Sequence, residues 1–140
     1  MSFILNIIWW IFGGIFMGLA YMLWGILMFI TIIGIPWGRA AFNFGLLMFW
    51  PFGRVAVSRA AYNGRDDIGT GSLGFLGNII WFVVAGIWLA IGHLISAFLC
   101  AITIIGIPFA IQHIKFALMA PMPIGKIIVT KEEARARGLY

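Results

Sequence analysis

The polar side chains standing in or beside the apolar stretches of this chain are Asn6, Tyr21, Thr31, Arg39, Asn43, Asn78, His93, Ser96, Thr103, Gln112, His113 and Lys115. Any chemistry inside the apolar part must come from them. Their ionisable members are basic. All four acids, Asp66, Asp67, Glu132 and Glu133, fall outside the apolar runs. Cation- and proton-coupled transport usually places Asp or Glu within the membrane, whereas basic groups along a path favour anions. Arg39, Asn43, Gln112, His113 and Lys115 therefore define an anion-leaning path, with Asn6, Asn78 and His93 as further pore or ligand candidates. Backbone amides at helix starts after Pro36 and Pro108 would add to that preference. Each candidate also has a plainer reading. Asn6 and Asn78 could cap or cross-link helices, Arg39 and Lys115 could snorkel to headgroups, and His93 could be a packed, hydrogen-bonded core group or a pH sensor.

Catalysis finds little support. His93 and His113 lie twenty positions apart with no carboxylate at ligand spacing, and no metal or nucleotide motif is present. Cys100 stands alone, so no intrachain disulfide is possible. Neither an enzyme nor a cofactor or metal is expected.

The elements holding these groups come in two copies. Residues 31–36 and 103–108 share the letters Thr-Ile-Ile-Gly-Ile-Pro, and the 72-residue offset holds without a gap from Asn6/Asn78 to Val57/Val129. Of those 52 pairs 19 are identical, and most others exchange apolar residues, so the chain reads as a duplicated unit. In the hexapeptides Gly34 with Pro36, and Gly106 with Pro108, read as helix-breaking turns.

Of the 140 residues 64% are hydrophobic and 9% charged, against roughly 25% charged in soluble domains. A water-soluble fold of this length could not hide so much apolar surface, and lipid removes the difficulty. Residues 7–35 form an uncharged run that, as one helix, would reach about 43 Å, longer than the roughly 30 Å hydrocarbon core. One tilted helix fits, as does a helix broken at Gly13-Gly14 or Gly18. Gly14, Gly18 and Gly25 form a small-residue stripe suited to packing within or between chains. The following segments, 37–50 and 109–122, are marginal for a span and either cross back or lie in the interface.

The net charge of +5 gathers at residues 39–65 and 115–137, as cytoplasmic flanks do. Nucleic-acid binding is not indicated. With both clusters inside, each unit must cross an even number of times. Nothing in the first residues resembles a cleavable signal, so the first run is expected to stay as an anchor.

The repeated Ile-Gly-Ile-Pro, the aromatic-rich helix after it with Lys115-Phe116, the closing Pro51-Phe52-Gly53-Arg54 and Pro123-Ile124-Gly125-Lys126, and the opening Leu5-Asn6-Ile7 resemble the YccF family of small bacterial inner-membrane proteins over residues 5–129. The resemblance implies a bacterial inner-membrane location and a duplicated inner-membrane domain. It implies no substrate and no catalytic residue.

The expectation is an all-α integral membrane protein of two tandem parallel helix-turn-helix repeats with four transmembrane spans. Residues 1–57 form the first repeat, 58–77 a cytoplasmic polar linker, 78–129 the second repeat and 130–140 a cytoplasmic tail. Such a chain would work as an oligomeric channel or small-solute transporter with an anion bias. The alternative is a non-catalytic scaffold or regulatory partner binding other membrane proteins or anionic lipid. The expected partners are membrane lipid, further copies of the chain and an anion.

Overall fold

The computed structural model describes residues 2–140. Each unit is a helical hairpin whose first arm carries one wide turn, and in the first unit the backbone leaves helical geometry there. In the first, α1 (Ser2–Trp9) passes through a wide turn at Trp10–Gly14 into α2 (Ile15–Ile30), and α3 (Ile35–Phe49) packs back on α2. Strand β1 (Arg54–Ser58) and the short helix α4 (Arg59–Asn63) follow. In the second unit, α5 (Ser72–Trp81) passes through a wide turn at Phe82–Gly86 into α6 (Ile87–Ala101), and α7 (Ile107–Met119) packs back on α6. Strand β2 (Lys126–Thr130) and helix α8 (Lys131–Ala136) come last. The long arms, Ser2–Ile30 and Ser72–Ala101, are long and apolar enough to cross a membrane. Only 28% of the most apolar window of each is buried inside the chain, which leaves broad apolar faces for lipid.

The hexapeptide turns have a local cause. Thr31 donates its hydroxyl to the Met28 carbonyl (2.7 Å) and accepts from the Gly34 N–H (3.1 Å), and Thr103 does the same with Cys100 (3.2 Å) and Gly106 (3.0 Å). These bonds satisfy groups left open at the helix ends. Pro36 and Pro108 then enter the first turns of α3 and α7, where a missing N–H costs nothing.

The expectation of an all-α chain needs correction. β1 and β2 pair antiparallel, with Arg54 opposite Thr130, Ala56 opposite Ile128 and Ser58 opposite Lys126. Arg54-Val55-Ala56-Val57-Ser58 and Lys126-Ile127-Ile128-Val129-Thr130 are short β-branched runs that start just after Gly53 and Gly125, a legible strand signal. Under the 72-residue offset the rungs exchange in pairs about the central Ala56–Ile128 rung, so equivalent strands meet as two halves of a self-complementary contact. The linker reading also shifts, because α5 already begins at Ser72; Leu73, Phe75 and Leu76 extend its apolar surface.

The glycine stripe is filled from within the chain. Gly14 lies under the Trp9 indole, Gly18 against Phe49, and Gly25 against Gly38 of α3. A Cβ on Gly38 would stand 2.8 Å from the Gly25 carbonyl oxygen. Gly38→Val is therefore expected to force α2 and α3 apart and cost about 1–3 kcal/mol, the usual scale of overpacking. Ala110→Gly, at the matching place in the second unit, should cost about 1 kcal/mol from helix propensity alone, with no helices forced apart. Unfolding of the two variants in bicelles checks the difference.

Outside the helical hairpins, Arg59 and Asp67 form an ion pair at 2.6 Å, and the Arg59 guanidinium holds the Asp67 carboxyl below the usual carboxylate range. Thr130 caps α8 by accepting from the Glu133 N–H at 3.1 Å. The Glu133 carboxylate accepts from the Tyr62 hydroxyl, which pushes that phenol up. These bonds fasten α4 to the loop and to α8, and α8 to the end of β2.

Candidate functional site

Two places gather chemistry: a buried cluster between the hairpins and a basic groove beside the sheet. The cluster is built on Trp9 and on the break in the first arm. Within the wide turn, Phe12 (φ −86, ψ 23) and Gly13 (φ 112, ψ −6) leave helical geometry. The second unit has Ala85 where the first has Gly13, and its only positive-φ residues are glycines outside that turn. A residue with a Cβ resists φ 112, and glycine does not.

The break frees the Phe12 carbonyl. His113 Nε2 lies 2.8 Å from that oxygen, and the Cys100 thiol reaches it at 3.6 Å. His113 Nδ1 in turn lies 2.9 Å from His93 Nδ1, and both imidazoles are fully buried. A carbonyl can only accept, so His113 carries its hydrogen on Nε2. Its Nδ1 is then an acceptor, and His93 donates from Nδ1. The His93 Nε2 that remains is an acceptor, and among the described residues neither it nor the buried Tyr21 hydroxyl has a partner. Aromatic rings enclose the pair, with centroids of Trp9 4.4 Å from His113, Phe116 5.5 Å from His93 and Tyr21 5.9 Å from His93.

The cluster breaks the repeat. Tyr21 stands where the second unit has His93, Ala41 where it has His113, and Met28 where it has Cys100. The frame around it keeps the repeat. Asn6 bonds both ways with Phe52 (Nδ2 to carbonyl 3.0 Å, N–H to Oδ1 2.9 Å), and Asn78 does so with Ile124 (3.1 and 3.1 Å). Trp9 donates to the Met48 carbonyl at 2.5 Å and Trp81 to Ala120 at 2.8 Å. Asn6 and Asn78 are thus clamps between each hairpin's start and finish, with both polar ends committed to backbone.

The groove, of about 300 Å³, runs along α7 and β1. Arg54, Lys115 and Lys131 supply cations, Gln112 an amide, and Leu47, Phe116, Leu118 and Met119 apolar walls. Among the described residues no Asp or Glu side chain lines it. Phe116 belongs to both places: its ring meets His93, and it also lines the groove.

The expected path does not form inside the chain. Arg39 and Asn43 are exposed on the outer side of α3, Lys115 is exposed, and Gln112 is half-buried. The interior is filled by Trp9, Trp81, Tyr21, Phe44 and Phe109. The reason is helical phase: Asn43 matches Lys115 in the repeat, and both fall on faces turned from the packed interior. Gly34 and Gly106 are buried at the turns, beside Pro36 and Pro108. Sequence reasoning missed the pairing of His93 with His113. A signal existed, since the two are equidistant from Thr103 at the turn, and residues so placed meet across an antiparallel hairpin.

Comparison with known proteins points one way. A family profile described as the inner membrane component domain, YccF, matches twice, at residues 4–54 and 76–126. The chain is 31% identical over 139 residues to the inner membrane protein YccF of Escherichia coli, covering 97% of this chain and 93% of that one. It is similar to the same extent to the inner membrane protein YccF of Shigella flexneri. No solved structure matches.

Proposed function

We infer that this chain, which belongs to the YccF family of inner membrane components, is a non-enzymatic membrane protein that holds the phosphate of an anionic lipid in its basic groove. The observation that carries this reading is the groove itself, three cations and an amide set against an apolar wall. A phosphate gains from each cation, and the acyl chain leaves along Leu47, Leu118 and Met119 into the bilayer. An inner membrane location is shared with the family. By the positive-inside rule the groove, the sheet, both termini and the loop face the cytoplasm. With that orientation each hairpin would start and end on the cytoplasmic side, as two parallel repeats do. α3 and α7, of 15 and 13 residues, complete four crossings in a locally thinned bilayer.

Lys115→Ala and Lys131→Ala are each expected to weaken binding of anionic over zwitterionic phospholipid about fivefold, since one cation near an anionic surface is worth about 1 kcal/mol. Native mass spectrometry of the chain released from nanodiscs containing phosphatidylglycerol and phosphatidylcholine reads that preference. Adding inorganic phosphate separates a headgroup site from a site for the free anion. Equal retention of both lipids by the unmodified chain would sink the reading.

A second reading is conduction, favoured by the broken first arm, because transporters build ion sites at such breaks. With the interior of one chain packed, a path would run between copies, along the exposed Arg39 and Asn43. Chloride flux in proteoliposomes that falls with Arg39→Ala would favour it. Absence of flux from folded protein would leave lipid binding as the function.

A further inference from the structure

We propose that the His93–His113 pair is an intramembrane binding site for one proton, taken up at His93 Nε2 and shared across the two imidazoles. The inference stands on the buried cluster and is independent of the groove.

Hydrogen-bond direction is fixed from one end. The Phe12 carbonyl accepts from His113 Nε2–H, and His113 Nδ1 accepts from His93 Nδ1–H. The chain of donors therefore ends on a lone pair at His93 Nε2. That nitrogen and the Tyr21 hydroxyl are, among the described residues, the buried side-chain polar atoms without partners. They belong to rings 5.9 Å apart. An unpaired buried polar group costs about 1–3 kcal/mol. The His93 Nε2 lone pair is therefore the open position for one added hydrogen, with Tyr21 as a neighbouring ring and not a bonded partner.

Uptake balances simply. A hydronium ion gives its proton to the Nε2 lone pair and leaves water, and the pair goes from neutral to a single positive charge. The Nδ1–H···Nδ1 bond persists. Movement of its hydrogen from His93 to His113 passes the charge on without breaking a covalent frame. Burial opposes the charge, and two neighbours offset it in part. The carbonyl freed at Phe12 presents its negative end to His113, and the rings of Trp9 and Phe116 face the pair at 4.4 and 5.5 Å. Among the described residues, the titratable groups facing it are Tyr21 from α2 and Cys100 from α6; α1 contributes Trp9, the break Phe12, and α3 sends Phe44 against Tyr21. All four acids of the chain lie in the loop and tail, so the bound proton meets no internal carboxylate. Unwound carbonyls beside a polar group are the usual makings of a proton or sodium site in membrane proteins.

The test is nitrogen NMR of the full chain, labelled at histidine and held in lipid nanodiscs, titrated with acid. At neutral pH one coupling across an N–H···N bond is expected, with His93 Nε2 bare. On acidification the two rings should shift together with one midpoint, gaining one proton between them. Two independent midpoints, absence of the coupling, or a bare Nε2 down to the unfolding pH would each overturn the proposal.

Discussion

Trp9→Ala is expected to be the most damaging single substitution in the chain, costing about 3–5 kcal/mol, the range for truncating a buried large aromatic. The residue is fully buried. Its ring meets Phe52, Phe109, His113 and Phe116, so it joins the first hairpin to the second. Its indole N–H satisfies the Met48 carbonyl near the end of α3. Lipid lowers the hydrophobic part of the loss, but the void and the orphaned carbonyl remain. Against a total stability of about 5–15 kcal/mol, most of the folded population in a marginal detergent should disappear. Trp9→Phe divides the effect, since it keeps most of the ring and removes the N–H; about 1 kcal/mol is expected. Reversible unfolding in bicelles measures both. If Trp9→Ala were no worse than Trp9→Phe, the contact between hairpins would not depend on that ring.

Gly13→Ala is expected to cost about 1–3 kcal/mol, the scale of forcing a residue with a side chain into a disfavoured backbone region. A Cβ there would also stand 3.0 Å from His113 Nε2. The arm has one escape, which is to straighten as the second unit does around Ala85. That would withdraw the Phe12 carbonyl and leave the His113 N–H unpaired in the core. Stability and the His113 Nε2–H resonance should therefore change together. Ala85→Gly, the mirror substitution, should cost about 1 kcal/mol from lost helix propensity and leave the histidine signals in place. A Gly13→Ala protein as stable as the parent, with the His113 bond intact, would mean that something other than Gly13 holds the break open.

Much of the frame is legible in residue type and order. The duplication, the turns at 31–36 and 103–108, and the two long apolar arms all follow from the string of residues. Such features depend on neighbours within a few turns, and local chemistry fixes them. The glycine stripe is legible as a packing surface, but its partner is not: only the placement of Gly38 on α3 shows it serving the hairpin itself. The strands escape a sequence reading although their β-branched runs are visible, because a run of five residues gains nothing until a second strand pairs with it.

The sequence by itself determined a duplicated, basic, membrane-embedded chain, because apolar content, charge placement and repeats are properties of the string and lipid acts on them directly. Tertiary structure alone decided which polar groups meet. The Asn6 and Asn78 side chains turn to backbone, Arg39 and Asn43 face outward, and Lys115 joins Arg54 and Lys131. His93 meets His113, which lies against a carbonyl at the break in the first arm about a hundred residues earlier. The physical reason is helical phase combined with the break at Gly13. Rotating one helix by a third of a turn would redirect each of these side chains and leave the hydropathy of the chain unchanged.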